Sequence, residues 1–499
     1  MPRTIGFRVW IDWDFNGVYS DESAYLVQAT GNLALVRPDD FMAGGKGQVD
    51  SCSLTLRNAG GRFSPLNSSG ALYSAIQQGK AYHAPMYIEV SIDGGGNWSR
   101  VFTGVCKIPK ESGLTLREGP VVEVACRSND ELLLQLRQST TLAQFRAWIE
   151  AGYTEGQLID ALLAAAGVTS RSVDAGLLAA PFVWLDDDSL LEDLWLLAAA
   201  GGGRFYSDPD GVARYENAAH WLSHAVSRET ITRAGFDRPL EAAYADDDLY
   251  NVVTVEASPR VLGAWDVVWE PDEPVVVPPG ATRAMTARLR QPLGATFGPE
   301  WQAITAGGQN ITGYVTVSPT YYAQRVEFSI TNSNPYWAAY LRPFRLVGQP
   351  VEGGPTHEES RNSAAHGSNG AFFATRGTRT RSVRGNPYVQ GKAQAGMLAL
   401  FLLHQSEYPR LTYQLRGCLG DPGRRLGDRV TISDASVMSS SRDAFVIGIA
   451  WRLTPNGFSQ DLTAIDAAQL YPYQSTGYFV VHDTTGDALL SSGSKRLFY

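Results

Sequence analysis

The sequence predicts a mainly β chain that carries a small α+β module. Two observations lead there. Apolar residues recur with a period of two along many short runs, and Gly-rich or Pro-rich turns separate those runs, which is the pattern of antiparallel sheet. Near Thr140 the period changes, and two capped amphipathic helices follow. The 50 Gly and 26 Pro among 499 residues fit a chain that turns this often.

The elements read in order as follows. Val49 to Arg57 alternates, with Cys52, Leu54 and Leu56 on one face. Met86, Ile88, Val90 and Ile92 repeat that period up to the turn Asp93-Gly94-Gly95-Gly96. Trp98 to Ile108 returns as a partner, and Val121 to Cys126 adds a strand. Thr154 and Gln157 form a capping box for a helix with a Leu158, Ile159, Leu162, Leu163 stripe, and Gly167 stands where a left-handed C-terminal residue belongs. Ser189 and Glu192 form a second box ahead of Leu190, Leu191, Leu194 and Leu197. Arg204 to Ser207 and Val212 to Tyr215 flank the turn Asp208-Pro209-Asp210-Gly211. Strands resume at Asn251 to Ala257.

Residues 259–384 are rich in Pro, Gly, Thr and Asn, with short strands such as Tyr314 to Val317 and Arg325 to Thr331, and read as a β-sandwich-like insertion. Within it, His357 to Gly370 reads as a mobile polar loop. A helix spans Gly391 to Gln405. Phe445 to Leu453 and Phe458 to Ile465 then flank Pro455-Asn456-Gly457, a hairpin turn. Tyr473 to Tyr499 reads as an extended tail.

Composition narrows the function. A hydrophobic fraction of 44% with 12 Trp, 22 Tyr and 19 Phe is that of a globular chain. The formal net charge of −9 argues against a broad nucleic-acid-binding face. One basic run holds Arg376, Arg379, Arg381 and Arg384, and reads as a solvated loop. Cys52, Cys106, Cys126 and Cys418 form no CxxC pair, so no zinc knuckle is indicated, and folding in a reducing compartment is expected. The N-terminus lacks a charged region followed by an apolar core, so the chain is expected to be soluble and made in the cytoplasm.

Catalytic motifs are missing from the sequence. His220 and His224 could share a helix face, but the zinc-protease pattern His-Glu-x-x-His is absent. Gly201-Gly202-Gly203 precedes a strand, whereas a phosphate loop precedes a helix. Asp186-Asp187-Asp188 precedes a helix, where negative charge meets the positive end of the dipole. Asp246-Asp247-Asp248 has no facing partner legible in sequence. We therefore expect no enzyme.

One motif carries metal chemistry. Asp12, Asp14 and Asn16 alternate, Gly17 is sixth, and Asp21 and Glu22 follow, as in a loop wrapped round a hard cation such as Ca2+. Ser23 stands where an EF-hand has Glu, and the preceding Thr4 to Ile11 alternates like a strand. The other reading is a polar hairpin turn whose Asp and Asn accept backbone hydrogen bonds.

Several segments together resemble the tail hub proteins at the tip of long-tailed bacteriophages, a family that includes baseplate hubs. They are Trp13-Asp14-Phe15-Asn16-Gly17 through Tyr25-Leu26; Ser51 to Asn58; Arg62-Phe63-Ser64-Pro65-Leu66; Val101-Phe102-Thr103-Gly104; Gly203-Arg204-Phe205-Tyr206 with Asp210-Gly211; Asn386-Pro387-Tyr388-Val389-Gln390; Pro409; and Gly427-Asp428-Arg429-Val430. The resemblance covers most of residues 1–470 and implies two tube-type antiparallel β-barrel domains. These are residues 1–136, and residues 229–258 with 385–472, separated by the α+β module at 137–228 and interrupted by the insertion at 259–384.

The resemblance further implies a homotrimer in the virion tail, assembled in the host cytoplasm. Three subunits with two β-domains each would match a sixfold tube to a threefold tip. Its partners would be tail tube, distal tail and tip or fibre proteins, with phage DNA passing transiently through the channel. Two alternatives remain beside it. One is a tail protein that degrades cell wall. The other is host-receptor or carbohydrate binding through the insertion, whose aromatics Trp301, Tyr321, Tyr322, Trp337 and Tyr340 read either as contacts or as core.

Overall fold

The computed structural model describes all residues except 1–2, 37–45, 116–118, 225, 246–248, 364–376, 407–409, 468–477, 484–485, 492–495 and 499. Arg376, the acidic triplet 246–248, Pro409 and the second half of the expected loop His357 to Gly370, residues 364–370, lie outside the described residues.

The chain is mainly β. Its principal sheet has 14 strands. We label them β1 (Gly6–Ile11), β2 (Ser20–Asp21), β3 (Leu26–Ala34), β4 (Ser51–Arg57), β5 (Ala84–Ser91), β6 (Ser99–Cys106), β7 (Lys110–Thr115), β8 (Gly119–Ser128), β9 (Glu229–Thr232), β10 (Glu241–Ala245), β11 (Arg410–Leu419), β12 (Arg429–Ser433), β13 (Arg442–Thr454) and β14 (Gly457–Asp466). The order is β10-β11-β14-β13-β3-β4-β8-β6-β5-β1-β2, with β7 on β8 and the β9–β12 pair attached to β13.

No closed barrel forms among the described residues. Strands expected of two tube-type barrels lie in one open sheet, because β13 pairs with β3 from Gly448↔Ala34 to Leu453↔Ala29. Gly31 faces Trp451 across this seam, and a Cβ there would stand 2.2 Å from the indole. Only glycine leaves room for that ring. One apolar core follows the sheet through both halves, from Ile11, Leu54 and Phe102 to Tyr413, Phe445 and Leu462.

Local signals explain the turns and helix ends. The Asp93 carboxylate accepts from the backbone N–H of Gly96 and Asn97, while Gly94 and Gly95 take positive φ, closing the β5–β6 hairpin. Hydrogen bonds from Ser91 and Asn97 hold that carboxyl well below the usual range. Helices α1 (Leu142–Ala151) and α2 (Glu155–Ala165) both open on capping boxes, Thr141 with Gln144 and Thr154 with Gln157. Gly167 has φ +74°. Helix α3 (Leu190–Ala200) lacks the expected box. The Ser189 hydroxyl donates to the Leu134 carbonyl instead, so a tertiary contact takes the capping group.

The hairpin Arg204–Ser207 with Ala213–Glu216 packs beside these helices. Their core also takes in strand Val252–Ala257 and helix α4 (Lys392–Ser406), through Val253, Val255, Leu398 and Leu402. Strands His357–Asn362 and Thr380–Val383 flank Val252–Ala257. Residues 357–362 are therefore strand and not mobile loop, since their backbone finds partners there. Farther out, a five-stranded sheet built on Ala339–Gly353 faces a three-stranded sheet built on Arg325–Asn332. Phe328, Ile330, Leu341 and Phe344 fill the space between them, giving the sandwich-like insertion its core. In the tail, Tyr478–Asp483, Gly486–Ser491 and Arg496–Phe498 pair as a small antiparallel sheet, so these stretches are not an unpaired extension.

Asp130 couples the first part of the sheet to the α+β module. It is fully buried and accepts from Ser207 N and Oγ at 3.2 and 2.5 Å. Burial raises its pKa to about 6. An unfolded Asp titrates near 3.9, so the stability from protonated Asp130 is fully present below about pH 4 and is lost as pH rises through about 6. We expect the urea midpoint to fall between pH 4 and pH 7, by the equivalent of about 2 kcal/mol. Asp130→Asn should flatten this slope; an equally steep profile in the variant would remove Asp130 as its cause.

Candidate assembly surfaces and the expected calcium loop

The five residues of the expected cation loop lie between β1 and β3, with their oxygens turned to other tasks. Asp12 is buried. Its Oδ1 accepts from Asn16 N at 3.1 Å and its Oδ2 from Gly17 N at 2.7 Å. Asn16 Oδ1 accepts from Val18 N at 2.8 Å, and Asp21 Oδ1 from Ser23 N at 2.9 Å. Asp14 is exposed. Glu22 is fully buried, pairs with Arg62 at 2.8 Å, and accepts from Trp13 Nε1 at 3.0 Å and Ser20 Oγ at 2.9 Å.

Among the described residues, no three His, Cys, Asp or Glu side chains converge on a point that could hold a metal ion. A cation would compete with Arg62 for Glu22, while each Asp12 oxygen keeps a second lone pair beside its backbone bond. The backbone bonds accepted by Asp12, Asn16 and Asp21 are those expected of a polar turn. Asp12→Ala should cost about 2 kcal/mol through two charge-assisted hydrogen bonds. Millimolar Ca2+ should leave the melting temperature of wild type and variant unchanged; a calcium-dependent rise in the wild type alone would restore the metal reading.

Arg62 was missed as a partner for this loop. The pairing spans 40 residues and has no local sequence signal.

Acid–base groups outside the loop are likewise engaged. His220 and His224 flank a 3-10 turn, not a helix face. His220 Nδ1 lies 2.7 Å from Asp174 and its Nε2 3.5 Å from Glu216, and the Asp174 hydrogen bond raises its pKa. Glu216 also accepts from Tyr206 OH and Trp221 Nε1 at 2.7 and 2.9 Å. Both imidazole nitrogens thus face carboxylates that brace a buried junction. A cleft of about 300 Å³ between α1 and α2 is lined by groups including Arg137, Ser139, Thr140 and Gln144. Ser139 Oγ there accepts from Arg325 and Asp187 N, and no His, Cys, Asp or Glu lines the cleft.

The two ends of the principal sheet differ. At the β1 end, Val9 already donates to Ser23 Oγ and accepts from Glu22 N, so that edge is largely spent. The neighbouring face stacks Arg8 on Trp98 at 4.0 Å, Arg100 on Tyr87 at 4.3 Å, and Tyr19 against Tyr87 at 5.1 Å. At the β10 end, Glu241, Ala242, Ala243 and Tyr244 are all exposed. Alternate strand residues face opposite sides, so neither face of β10 is covered. It pairs only with β11, leaving its outer edge open among the described residues.

The insertion presents a third surface. Trp265 and Phe297 stack there at 4.1 Å, 42% and 84% exposed, beside exposed Val261 and Leu262. Of the five aromatics singled out in the sequence, Trp301 and Tyr321 pack against the sandwich core and Trp337 is exposed. Tyr322 lies under Arg325, and Tyr340 is half-buried.

No protein-family model matches this chain, and no curated protein matches it. Solved structures do. The tail protein from Neisseria meningitidis MC58 is 11% identical with a TM-score of 0.46, over 94% of this chain and 98% of that one. The 43 kDa tail protein of prophage MuSo2 from Shewanella oneidensis is 10% identical with a TM-score of 0.46, over 93% and 98%. An Escherichia coli component of the type VI secretion system, described as structurally similar to T4 bacteriophage tail proteins, is 9% identical with a TM-score of 0.35, over 99% and 92%.

Proposed function

We propose that this chain is a structural tail protein of a phage virion, a hub subunit that forms a ring between the tail tube and the tail tip. The observation that carries this reading is the principal sheet. It fuses both expected tube-type halves edge to edge and ends in an open strand, β10. An open edge invites another strand; a ring follows where β10 meets a different surface of the next copy, since β10 on β10 closes a twofold dimer and the β1 edge is largely spent. Three copies, each with two halves, would give a ring of six units below a sixfold tube.

The ring would contact tube, distal tail and tip or fibre proteins. Its acidic chain, with net charge −9, suits a channel through which DNA slides without being held. The committed state of His220, Glu216 and Ser139 supports a role without catalysis. Imaging of the purified chain, or of the virion, tests this: a threefold ring is expected. A monomer at all concentrations, or clear lysis of cell walls in a zymogram, would overturn it.

A second role rests on the Trp265–Phe297 pair. Exposed stacked aromatics suit contact with a host surface glycan. Trp265→Ala with Phe297→Ala should lower retention on host cells without changing the melting temperature; unchanged retention would dismiss this role.

A further inference from the structure

Three of the four cysteines stand side by side on adjacent strands. Cys52 on β4 is the register partner of Cys126 on β8, which is also the register partner of Cys106 on β6. All three are buried, free thiols.

The ladder separates the two pairs. Lys107 N donates to Ala125 O at 2.7 Å, which makes 107 and 125 a hydrogen-bonded pair. Pair types alternate along an antiparallel ladder, so Cys106 and Cys126 form a non-hydrogen-bonded pair. On the other side, Asn58 N donates to Pro120 O and Ser128 N to Asp50 O. The same alternation makes Cys52 and Cys126 a hydrogen-bonded pair. Non-hydrogen-bonded partners have Cα atoms about 4.5 Å apart and closer side chains, against about 5.5 Å for the other type. A disulfide accepts Cα separations of about 4.4–6.8 Å but needs Cβ atoms about 3.8 Å apart. Cys106 and Cys126 form the pair type that brings side chains closer, and their Sγ atoms stand 3.8 Å apart; Cys52 also lies within hydrogen-bonding reach of Cys126.

We propose that Cys106 and Cys126 are a disulfide site, reduced in this structure and closed by a two-electron oxidant, with Cys52 left as a thiol. Two S–H bonds break and one S–S bond forms. The two electrons and two protons reduce the N=N bond of a diazene oxidant to a hydrazine, or a small disulfide to two thiols. Hydrogen bonds from Cys106 and Cys52 lower the pKa of Cys126, while burial pushes both neighbours well up. The bond sits at a short junction of this half of the sheet. β6 and β8 share three register pairs, whereas β4 and β8 share seven. Strands β1, β2, β5 and β6 continue the sheet beyond that short seam, and the disulfide would staple it.

The test uses the full chain. It is treated with diamide or with a phosphine reductant, then quenched, unfolded, alkylated with N-ethylmaleimide and weighed. The oxidised sample should take up two labels where the reduced sample takes four, with one peptide link joining 106 to 126. Its melting temperature should rise by roughly 5 °C. Cys52→Ser should keep the link, and Cys106→Ala should lose it and label at all three remaining thiols. Four labels after exhaustive oxidation, a link between Cys52 and Cys126, or intermolecular links alone would each overturn the assignment.

Discussion

Arg424→Ala should lower the free energy of unfolding by about 3–4 kcal/mol, because it strips one partner from a buried ion pair. The guanidinium is 5% exposed and grips Glu229 with two bonds, Nε to Oε1 at 2.5 Å and Nη2 to Oε2 at 3.0 Å. Its Nη1 also donates to Gln460 Oε1 at 2.7 Å and to the Leu419 carbonyl at 2.9 Å. The residue therefore ties β9 to β14 and to the end of β11. Removing it leaves the Glu229 carboxylate without its donors, while Gln460 Oε1 keeps only the Asp421 N–H. Urea unfolding of the single and double variants checks this. Arg424→Met with Glu229→Leu should recover much of the loss, since an apolar pair leaves no charge stranded. A single-variant loss below about 1 kcal/mol would show that the pair is worth no more than a surface bridge.

Ala242→Lys with Tyr244→Lys should abolish assembly while leaving the fold intact. Both side chains are exposed on β10, and the strand contributes nothing to the core from these positions. Lysines on an edge strand block the approach of another strand. Sedimentation should change from ring to monomer, with circular dichroism unchanged and the urea midpoint moved by less than about 0.5 kcal/mol. A ring that persists would move the subunit contact elsewhere and leave the hub reading standing. A wild-type chain that never assembles would end that reading instead.

Local chemistry made much of this fold legible. The Asp93 turn, the Thr154 box, Gly167 and the Asn456-Gly457 hairpin each carry their instruction within a few residues, and each forms as read. The Thr141–Gln144 box was equally local and was overlooked. Ser189 shows the limit of such signals, since a carbonyl 55 residues away takes its hydroxyl. The loop at 12–22 shows another. Its spacing suits a cation, but whether a carboxylate faces inward to a metal or sideways to an N–H depends on partners such as Arg62. Strand neighbours were the least legible. Nothing in Leu26–Ala34 or Arg442–Thr454 says that one will lie against the other, and the same is true of Val252–Ala257 and Thr380–Val383.

The β3–β13 seam sets a schedule for making the protein. Arg452 donates to Gln28, 424 residues earlier in the chain. At roughly 5–20 residues per second, β3 leaves the ribosome some 20–80 s before its neighbour exists. Throughout that interval the nascent chain holds one side of β3 unpaired, with Gly31 awaiting the indole that covers it. Such an unpaired edge is prone to aggregation in a growing β chain. Slowing synthesis within residues 35–441 lengthens that exposure, whereas slowing it after Thr454 does not. Yield of soluble protein should therefore depend on where translation pauses.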